Sequence, residues 1–240
     1  RPLFQDHEIW LRWLSVICIS ASAALLYSII YSERKKTAWI FALFMLCSNL
    51  LMNMSQFIRS YALVIFILTL ILFLIERKHH YKLTFILIGT LCASLIYLHY
   101  VTLLFIPCAL WYARSKFSSR QWITSALLTF LLILPILYFF ILKLFDGSVH
   151  EMKENDLFDL HRLIRLSEQV FNGYSYFFFI SLFPVLIHFR NKKTISHWSF
   201  WIGFIPFILL FVLSLFFPVA DRYLSLFLPF YLATGSFALI

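Results

Sequence analysis

The sequence predicts an all-α protein: a polytopic transmembrane helix bundle of about nine spans, with an amphipathic helix at its outward-facing interface. Of its 240 residues, 62% are hydrophobic and 13% are charged, whereas soluble domains average about 45–50% apolar and about 25% charged residues. Apolar runs recur along the chain, and short charged turns separate them. Such a chain cannot cover its surface with polar groups, which excludes a soluble enzyme, a disordered tail and a secreted disulfide scaffold.

Each predicted span is an apolar run of roughly the length that crosses the hydrocarbon of a bilayer, about 20 residues. In chain order the runs cover residues 13–31, 37–54, 60–75, 83–98, 101–112, 122–144, 175–189, 198–219 and 224–240. The fifth run is short, so we expect it to borrow flanking residues. No soluble domain or internal repeat interrupts the series, which predicts a single transmembrane domain over residues 1–240.

The charged turns predict how these spans are oriented. Four turns carry three Lys or Arg each, at residues 32–36, 76–82, 113–121 and 190–197. Their acidic residues are Glu33 and Glu76. By the positive-inside rule these turns are cytoplasmic, and the chain is a multi-pass protein of the plasma (inner) membrane. The net charge of +9 then reflects topology, and no nucleic-acid partner is predicted because the basic residues form no single clustered patch.

The four cysteines predict neither a disulfide nor a metal centre. They lie inside apolar runs without metal-ligand spacing, at Cys18, Cys47, Cys92 and Cys108. The sequence also has no Walker loop, no zinc-binding HExxH and no GxSxG motif. It identifies no cofactor, and it leaves a requirement for a divalent metal open.

The outward turns hold the polar residues from which a site could be built. Arg59 follows Gln56 by three residues, so a helix there would place both on one face. An arginine at this depth can bind a phosphate through two parallel hydrogen bonds, or it can snorkel and anchor a helix end. Both interpretations stay open at this point.

Two further outward turns carry the same ambiguity. Arg222 and Tyr223 precede the last predicted span, where they fit a binding site or an interfacial belt in which Asp221 pairs with Arg222. His99 follows the fourth predicted span and lies among aromatic residues. It could donate to a phosphate or orient a carboxylate, or it could be an ordinary interfacial histidine.

The outward segment 145–174 predicts an amphipathic helix of about four turns. Apolar residues recur in it at helical spacing, with charged residues between them; the apolar positions are Leu157, Leu160, Ile164 and Phe171. We expect this helix to lie on the outer interface or to cover a cavity. A simple connecting helix is the alternative.

The chain opens at Arg1 and closes inside an apolar run at Ile240, which leads us to expect a fragment truncated at both ends.

Four stretches share a pattern with one enzyme superfamily. Residues 55–63 read S-Q-F-I-R-S-Y-A-L, residues 97–100 read Y-L-H-Y, residues 221–224 read D-R-Y-L ahead of Pro229, and residues 6–12 read D-H-E-I-W-L-R. In order, they are similar to S-Q-E-A-R-M-Y-A-L, Y-T-H-Y, P-R-Y-L-x-P and G-D-S-E-F-A-L-R-L. Those motifs belong to bacterial GT-C glycosyltransferases of the protein-mannosyltransferase and aminoarabinose-transferase type. The four occur in the family's order and together reach over essentially the whole chain.

The resemblance implies a transferase that takes a sugar from a polyprenyl-phosphate donor. The sugar is delivered to a lipid, glycan or protein acceptor on the outer face of the membrane. The resemblance also implies that Arg59 and Arg222 bind the donor phosphate. The residues implied to line the cavity are Gln56, Tyr61, His99, Tyr100 and Tyr223. Paired arginines suit an anionic leaving group in an apolar site, because they stabilise the charge that develops there.

Two departures from the family pattern keep other functions in view. Phe57 stands where the signature has Glu, and no span precedes Asp6, so the catalytic acidic residue is expected upstream of Arg1. One alternative is a non-catalytic transporter or flippase for lipid-linked sugars, although no charged residue lies near the middle of a predicted span. Another is a relative that binds lipid donors without performing chemistry. Membrane lipids are expected partners in every case.

Overall fold

The computed structural model describes residues 2–47, 60–77, 83–145, 198–206, 208–210, 226 and 228–238. For residues 2–9, 11, 47, 100, 139–145 and 238 it describes the backbone alone. These parts of the chain are helical and contain no strand, which confirms the all-α prediction at the level of fold class. The predicted amphipathic helix over 145–174 lies outside the described residues except for Phe145. The seventh predicted span, 175–189, also lies outside them.

Seven α-helices, one 3-10 helix and one π-helix make up the described structure. The α-helices are α1 Pro2–Glu33, α2 Lys35–Cys47, α3 Tyr61–Glu76, α4 Thr84–Leu98, α5 Phe105–Arg114, α6 Ser119–Phe145 and α7 Leu228–Ala238. The 3-10 helix covers Tyr100–Leu104, and the π-helix covers Ser199–Phe204. The fifth predicted span, 101–112, is therefore a 3-10 helix followed by a short α-helix. The first predicted span, 13–31, lies in the C-terminal part of a longer helix, α1.

Helix α3 occupies the centre of the described bundle. Ten of its residues are buried, among them Val64, Leu68 and Ile71, because α1, α4 and α5 pack around it. Helix α1 contributes small side chains to this core, including the buried Cys18 and Ser22. The Ser22 hydroxyl donates to the carbonyl of Cys18 at 2.6 Å, so its polar group is satisfied within its own helix.

Helices α4 and α6 pack closely because one of them carries a glycine at the contact. A Cβ on Gly89 would lie 3.0 Å from the carbonyl oxygen of Ser125. Hydroxyl groups also bridge the two helices: Ser125 donates to the carbonyl of Phe85 at 2.8 Å, and Thr129 donates to that of Gly89 at 3.2 Å. Small and hydroxylated residues of this kind are typical of helix contacts in an apolar environment.

A second close contact joins the π-helix to α7. A Cβ on Gly203 would lie 2.5 Å from the carbonyl oxygen of Phe230 and 2.5 Å from Oγ1 of Thr234. The Thr234 hydroxyl donates to the carbonyl of Ser199 at 2.8 Å. The glycine therefore permits an approach that no other residue at position 203 would allow without movement.

Two of the described helices contain segments long and apolar enough to cross a membrane: residues 12–33 of α1 and 119–138 of α6. Shorter apolar helices cover residues 61–76, 84–98, 101–114 and 199–210. Large apolar side chains are exposed on α1 and α6, including Ile17 and Phe130. The described structure thus supports association with a membrane, at a coarser level than the nine predicted spans.

The helix ends that carry the basic residues lie together at one end of the bundle. Tyr112, at the end of α5, donates its hydroxyl hydrogen to the carboxylate of Glu76, at the end of α3. Arg77 donates to the Ser28 hydroxyl near the end of α1 at 2.9 Å. The indole of Trp198 donates to the Glu33 carboxylate at 2.9 Å. We call this part of the molecule the basic end.

Candidate functional site

The candidate site begins with the first residue of α3. Helix α3 starts at Tyr61, one residue after Ser60, whose backbone carbonyl accepts the first helical hydrogen bond from Val64 N–H at 2.9 Å. The Tyr61 side chain is 6% exposed. Since Glu76 at the other end of α3 belongs to the basic end, Tyr61 lies at the opposite end of the bundle.

His99 forms the break between α4 and the 3-10 helix. Its backbone is extended, with φ −162° and ψ 118°, and its N–H donates to the carbonyl of Leu95 at 2.8 Å. The carbonyl of His99 accepts two hydrogen bonds from Thr102, from the backbone N–H at 3.1 Å and from the hydroxyl at 2.7 Å. Helix α4 therefore stops at a turn that holds the histidine in place from both sides.

The imidazole of His99 takes part in the same turn. Its Nδ1 accepts a hydrogen bond from the backbone N–H of Val101 at 3.3 Å. A neutral imidazole that accepts at Nδ1 carries its proton on Nε2. The turn thus selects the tautomer in which Nε2 is the donor, a group suited to a phosphate or carboxylate oxygen.

Tyr61 and His99 lie side by side although they are separated by most of α3 and α4. Their ring centroids are 5.3 Å apart, with a tilt of 53° between the ring planes. This contact brings together one described residue from each of two separate candidate motifs, Tyr61 of the motif 55–63 and His99 of the motif 97–100. The pair combines an imidazole donor with an aromatic surface at the end of the bundle opposite the basic end.

Tyr97 belongs to the same short motif as His99 but contacts a different element. Its hydroxyl donates to the carbonyl of Leu132 in α6 at 2.7 Å. Leu132 lies three residues before Pro135, which lacks an N–H and leaves a carbonyl of the preceding turn without its helical donor. Tyr97 therefore ties the end of α4 to α6 beside the proline, and 54% of its side chain is exposed.

The start of α7 reaches the same region of the bundle. Phe230, in the first turn of α7, has its ring centroid 5.8 Å from that of Phe105, the first residue of α5. The other end of α7 lies at the basic end, because Phe237 packs edge-to-face on Trp198 at 5.9 Å. Helix α7 therefore runs from the end that carries His99 toward the basic end.

The predicted site residues divide into three groups. Tyr61 and His99 are brought into contact. Tyr100 is the first residue of the 3-10 helix directly after His99, and its backbone alone is described. Four predicted site residues lie outside the described residues, namely Gln56, Arg59, Arg222 and Tyr223.

Thr102 is a functional candidate that sequence reasoning missed. It is fully buried and supplies two of the hydrogen bonds that shape the His99 turn. A threonine hydroxyl commonly donates to the carbonyl three or four residues before it, and this spacing from His99 is the signal by which Thr102 could have been found. In the parts of the chain that the structure describes, His, Cys, Asp and Glu side chains form no group of three or more that could hold a metal ion.

Comparisons with known proteins identify no relative on which the site can be mapped. No protein-family model, no curated protein and no solved structure matches the chain.

Proposed function

We propose that this protein is a membrane glycosyltransferase of the GT-C type. In this proposal it transfers a sugar from a polyprenyl-phosphate donor to a lipid, glycan or protein acceptor on the outer face of the inner membrane. The observation that carries the proposal is the contact between Tyr61 and His99, with ring centroids 5.3 Å apart. It joins two of the four stretches that resemble GT-C motifs, at one end of the bundle.

The chemistry of the pair is suited to a lipid phosphate. The Nε2–H of His99 can donate to a phosphate oxygen, and such a bond is stronger where lipid lowers the local dielectric. Arg59 lies two residues before Tyr61 in the chain. In the proposed mechanism Arg59 and Arg222 stabilise the phosphate that leaves when the sugar is transferred, while Tyr61 and His99 line the donor cavity with Gln56, Tyr100 and Tyr223.

The proposed topology follows from the charged turns. We propose that the basic end faces the cytoplasm and that the end with Tyr61 and His99 faces outward, in a bundle of about nine spans. In support, basic residues from three of the four turns occur in the described basic end, at Arg34, Arg77 and Arg114. An outward site would meet a lipid-linked donor at the outer leaflet.

The test is a transfer assay with the protein expressed from its full gene. Membranes carrying it are supplied with a polyprenyl-phosphate-linked radiolabelled sugar, and label in the acceptor fraction is counted. We expect Arg59→Ala and Arg222→Ala each to reduce transfer at least about 100-fold, the effect of losing one strong electrostatic contact to a transition state. Full activity and unchanged donor binding in both variants would refute the proposed phosphate contacts.

A lipid-linked sugar flippase is the second candidate function. Interrupted helices are common in transporters, and the described chain has a π-helix at Ser199–Phe204 and a proline inside α6 at Pro135. Liposomes that contain the purified protein separate the two functions. Movement of a fluorescent lipid-linked sugar between leaflets, without transfer to an acceptor, would favour the flippase.

A further inference from the structure

We propose that the basic end carries a binding site for the headgroup of an anionic phospholipid, formed by Arg114, Trp111 and Trp122. We call these three residues the Arg114 clamp. This inference requires that the bundle lies in a membrane, but it does not depend on transferase activity. Failure of the transfer assay would leave it intact, and its own failure would leave the transferase proposal intact.

The clamp spans the corner between α5 and α6. The guanidinium carbon of Arg114 lies 5.3 Å from the ring centroid of Trp111 and 5.6 Å from that of Trp122. The indole N–H of Trp122 donates to the carbonyl of Leu110 at 2.7 Å, which fixes one of the two rings. Two aromatic faces therefore hold the cation in place before any ligand arrives.

The guanidinium is accessible and suits a phosphate group. Arg114 is exposed, and 52% of the Trp111 side chain is exposed. A guanidinium has five N–H donors in a fixed plane that matches two phosphate oxygens. The indole rings attract its charge, but they offer no oxygen to accept those donors. An anionic oxygen ligand would supply what the rings cannot.

The charges around the clamp favour an anion. Both acidic residues of the described basic end are engaged within the bundle: Glu33 accepts from Trp198, and Glu76 accepts from Tyr112 and pairs with Lys116 at 3.4 Å. Further cations lie at the helix ends that make up the described basic end. They are Arg34, Lys35, Lys36, Arg77 and Arg120. The surface thus presents a clear excess of positive charge over the engaged carboxylates.

The aromatic rings indicate a lipid as the source of the anion. Tryptophan side chains concentrate at the level of the lipid headgroups. Trp111 lies 6.1 Å from Trp201 of the π-helix, centroid to centroid, so one indole of the clamp contacts a further indole. A cation at that depth lies level with phosphodiester groups. An anionic headgroup fits better than a choline headgroup, because the positive charge of choline is repelled by the cations of the basic end.

The test measures lipid binding to the whole purified protein by native mass spectrometry. The protein in detergent receives either phosphatidylglycerol or phosphatidylcholine, and bound lipid is counted. We expect the wild type to prefer phosphatidylglycerol. Arg114→Gln should weaken phosphatidylglycerol binding about fivefold, the effect of one basic residue near a lipid surface. Phosphatidylcholine binding should not change.

Arg120→Gln is the matched control, because it removes the same charge from an exposed arginine of the same turn. It should change phosphatidylglycerol binding less than Arg114→Gln does. Arg114→Lys keeps the charge but loses the planar group, and we expect an intermediate affinity. This variant carries the test if Arg114→Gln fails to fold. Equal binding of the two lipids by the wild type, or equal losses in the Arg114 and Arg120 variants, would overturn the proposal.

Discussion

His99 is the residue whose chemistry the structure defines most closely. Its Nδ1 accepts from Val101 N–H, so the neutral ring donates through Nε2. The amide nitrogen of a glutamine reaches roughly where Nε2 lies in histidine, whereas that of an asparagine reaches only to the position of Nδ1. The two substitutions therefore separate a donor at Nε2 from a donor at Nδ1.

We expect His99→Gln to retain at least about tenfold more transfer activity than His99→Asn, since a hydrogen bond to a charged group contributes roughly 1.5–3 kcal/mol. The kcat/KM of sugar transfer measures the difference. His99→Ala provides the baseline without a donor. If asparagine restored activity better than glutamine, the assigned tautomer would be wrong.

Gly203 permits a close contact between the π-helix and α7 because it has no side chain. Gly203→Ala places a methyl group 2.5 Å from the carbonyl oxygen of Phe230, and we expect a loss of about 1–3 kcal/mol through overpacking. Gly235→Ala, on the facing helix α7, is the matched control because a Cβ there meets nothing within 4 Å. It should be neutral or stabilising by about 0.5–1 kcal/mol, as expected for alanine in a helix.

Thermal unfolding of the detergent-solubilised protein compares the two glycine variants. The melting temperature should fall for Gly203→Ala and should hold or rise for Gly235→Ala. A fall of equal size in both variants would mean that the π-helix and α7 do not approach as closely as described.

At the scale of elements, one carboxylate joins two helices and a turn at the basic end. Glu76 of α3 accepts from Tyr112 of α5 and pairs with Lys116 in the turn before α6. Tyr112 is 1% exposed, so its hydroxyl has little access to water and depends on the carboxylate. The tyrosine contact is therefore expected to contribute more to stability than the lysine contact.

We expect Tyr112→Phe to lower the free energy of unfolding by about 1.5–3 kcal/mol, because it removes a hydrogen bond to a charged group and leaves the ring in place. Lys116→Met should cost about 0–1 kcal/mol, since a partly exposed ion pair contributes little. Denaturant unfolding followed by circular dichroism measures both. A larger loss in the lysine variant than in the tyrosine variant would show that the ion pair dominates this contact.

At the scale of the whole molecule, the helical class followed from composition, but the packing did not. Apolar runs predicted helices at 60–75 and 83–98, and the structure has Tyr61–Glu76 and Thr84–Leu98, because charged or polar turns mark both ends. The apolar pattern did not predict that α1 begins at Pro2. Hydropathy measures how apolar a segment is and says little about where its helix begins.

Long-range contacts lie beyond sequence reasoning for a physical reason. Nothing in the local pattern indicates that Trp198 reaches Glu33 across 165 positions, or that Gly203 lies against Phe230. Both depend on how helices pack after they form. The proximity of Tyr61 and His99 could be anticipated only from the order of the motifs, and the roles of Arg59 and Arg222 stay predictions.

The proposed function requires that the end of the bundle with Tyr61 and His99 binds a lipid phosphate. Photo-crosslinking with a diazirine-bearing polyprenyl phosphate tests this binding, with labelled peptides mapped by mass spectrometry. We predict labelling in the peptides that contain Tyr61 and His99, competed by unlabelled polyprenyl phosphate and reduced in His99→Ala but not in Lys36→Ala. Labelling confined to the basic end, or labelling that the competitor does not reduce, would contradict the claim.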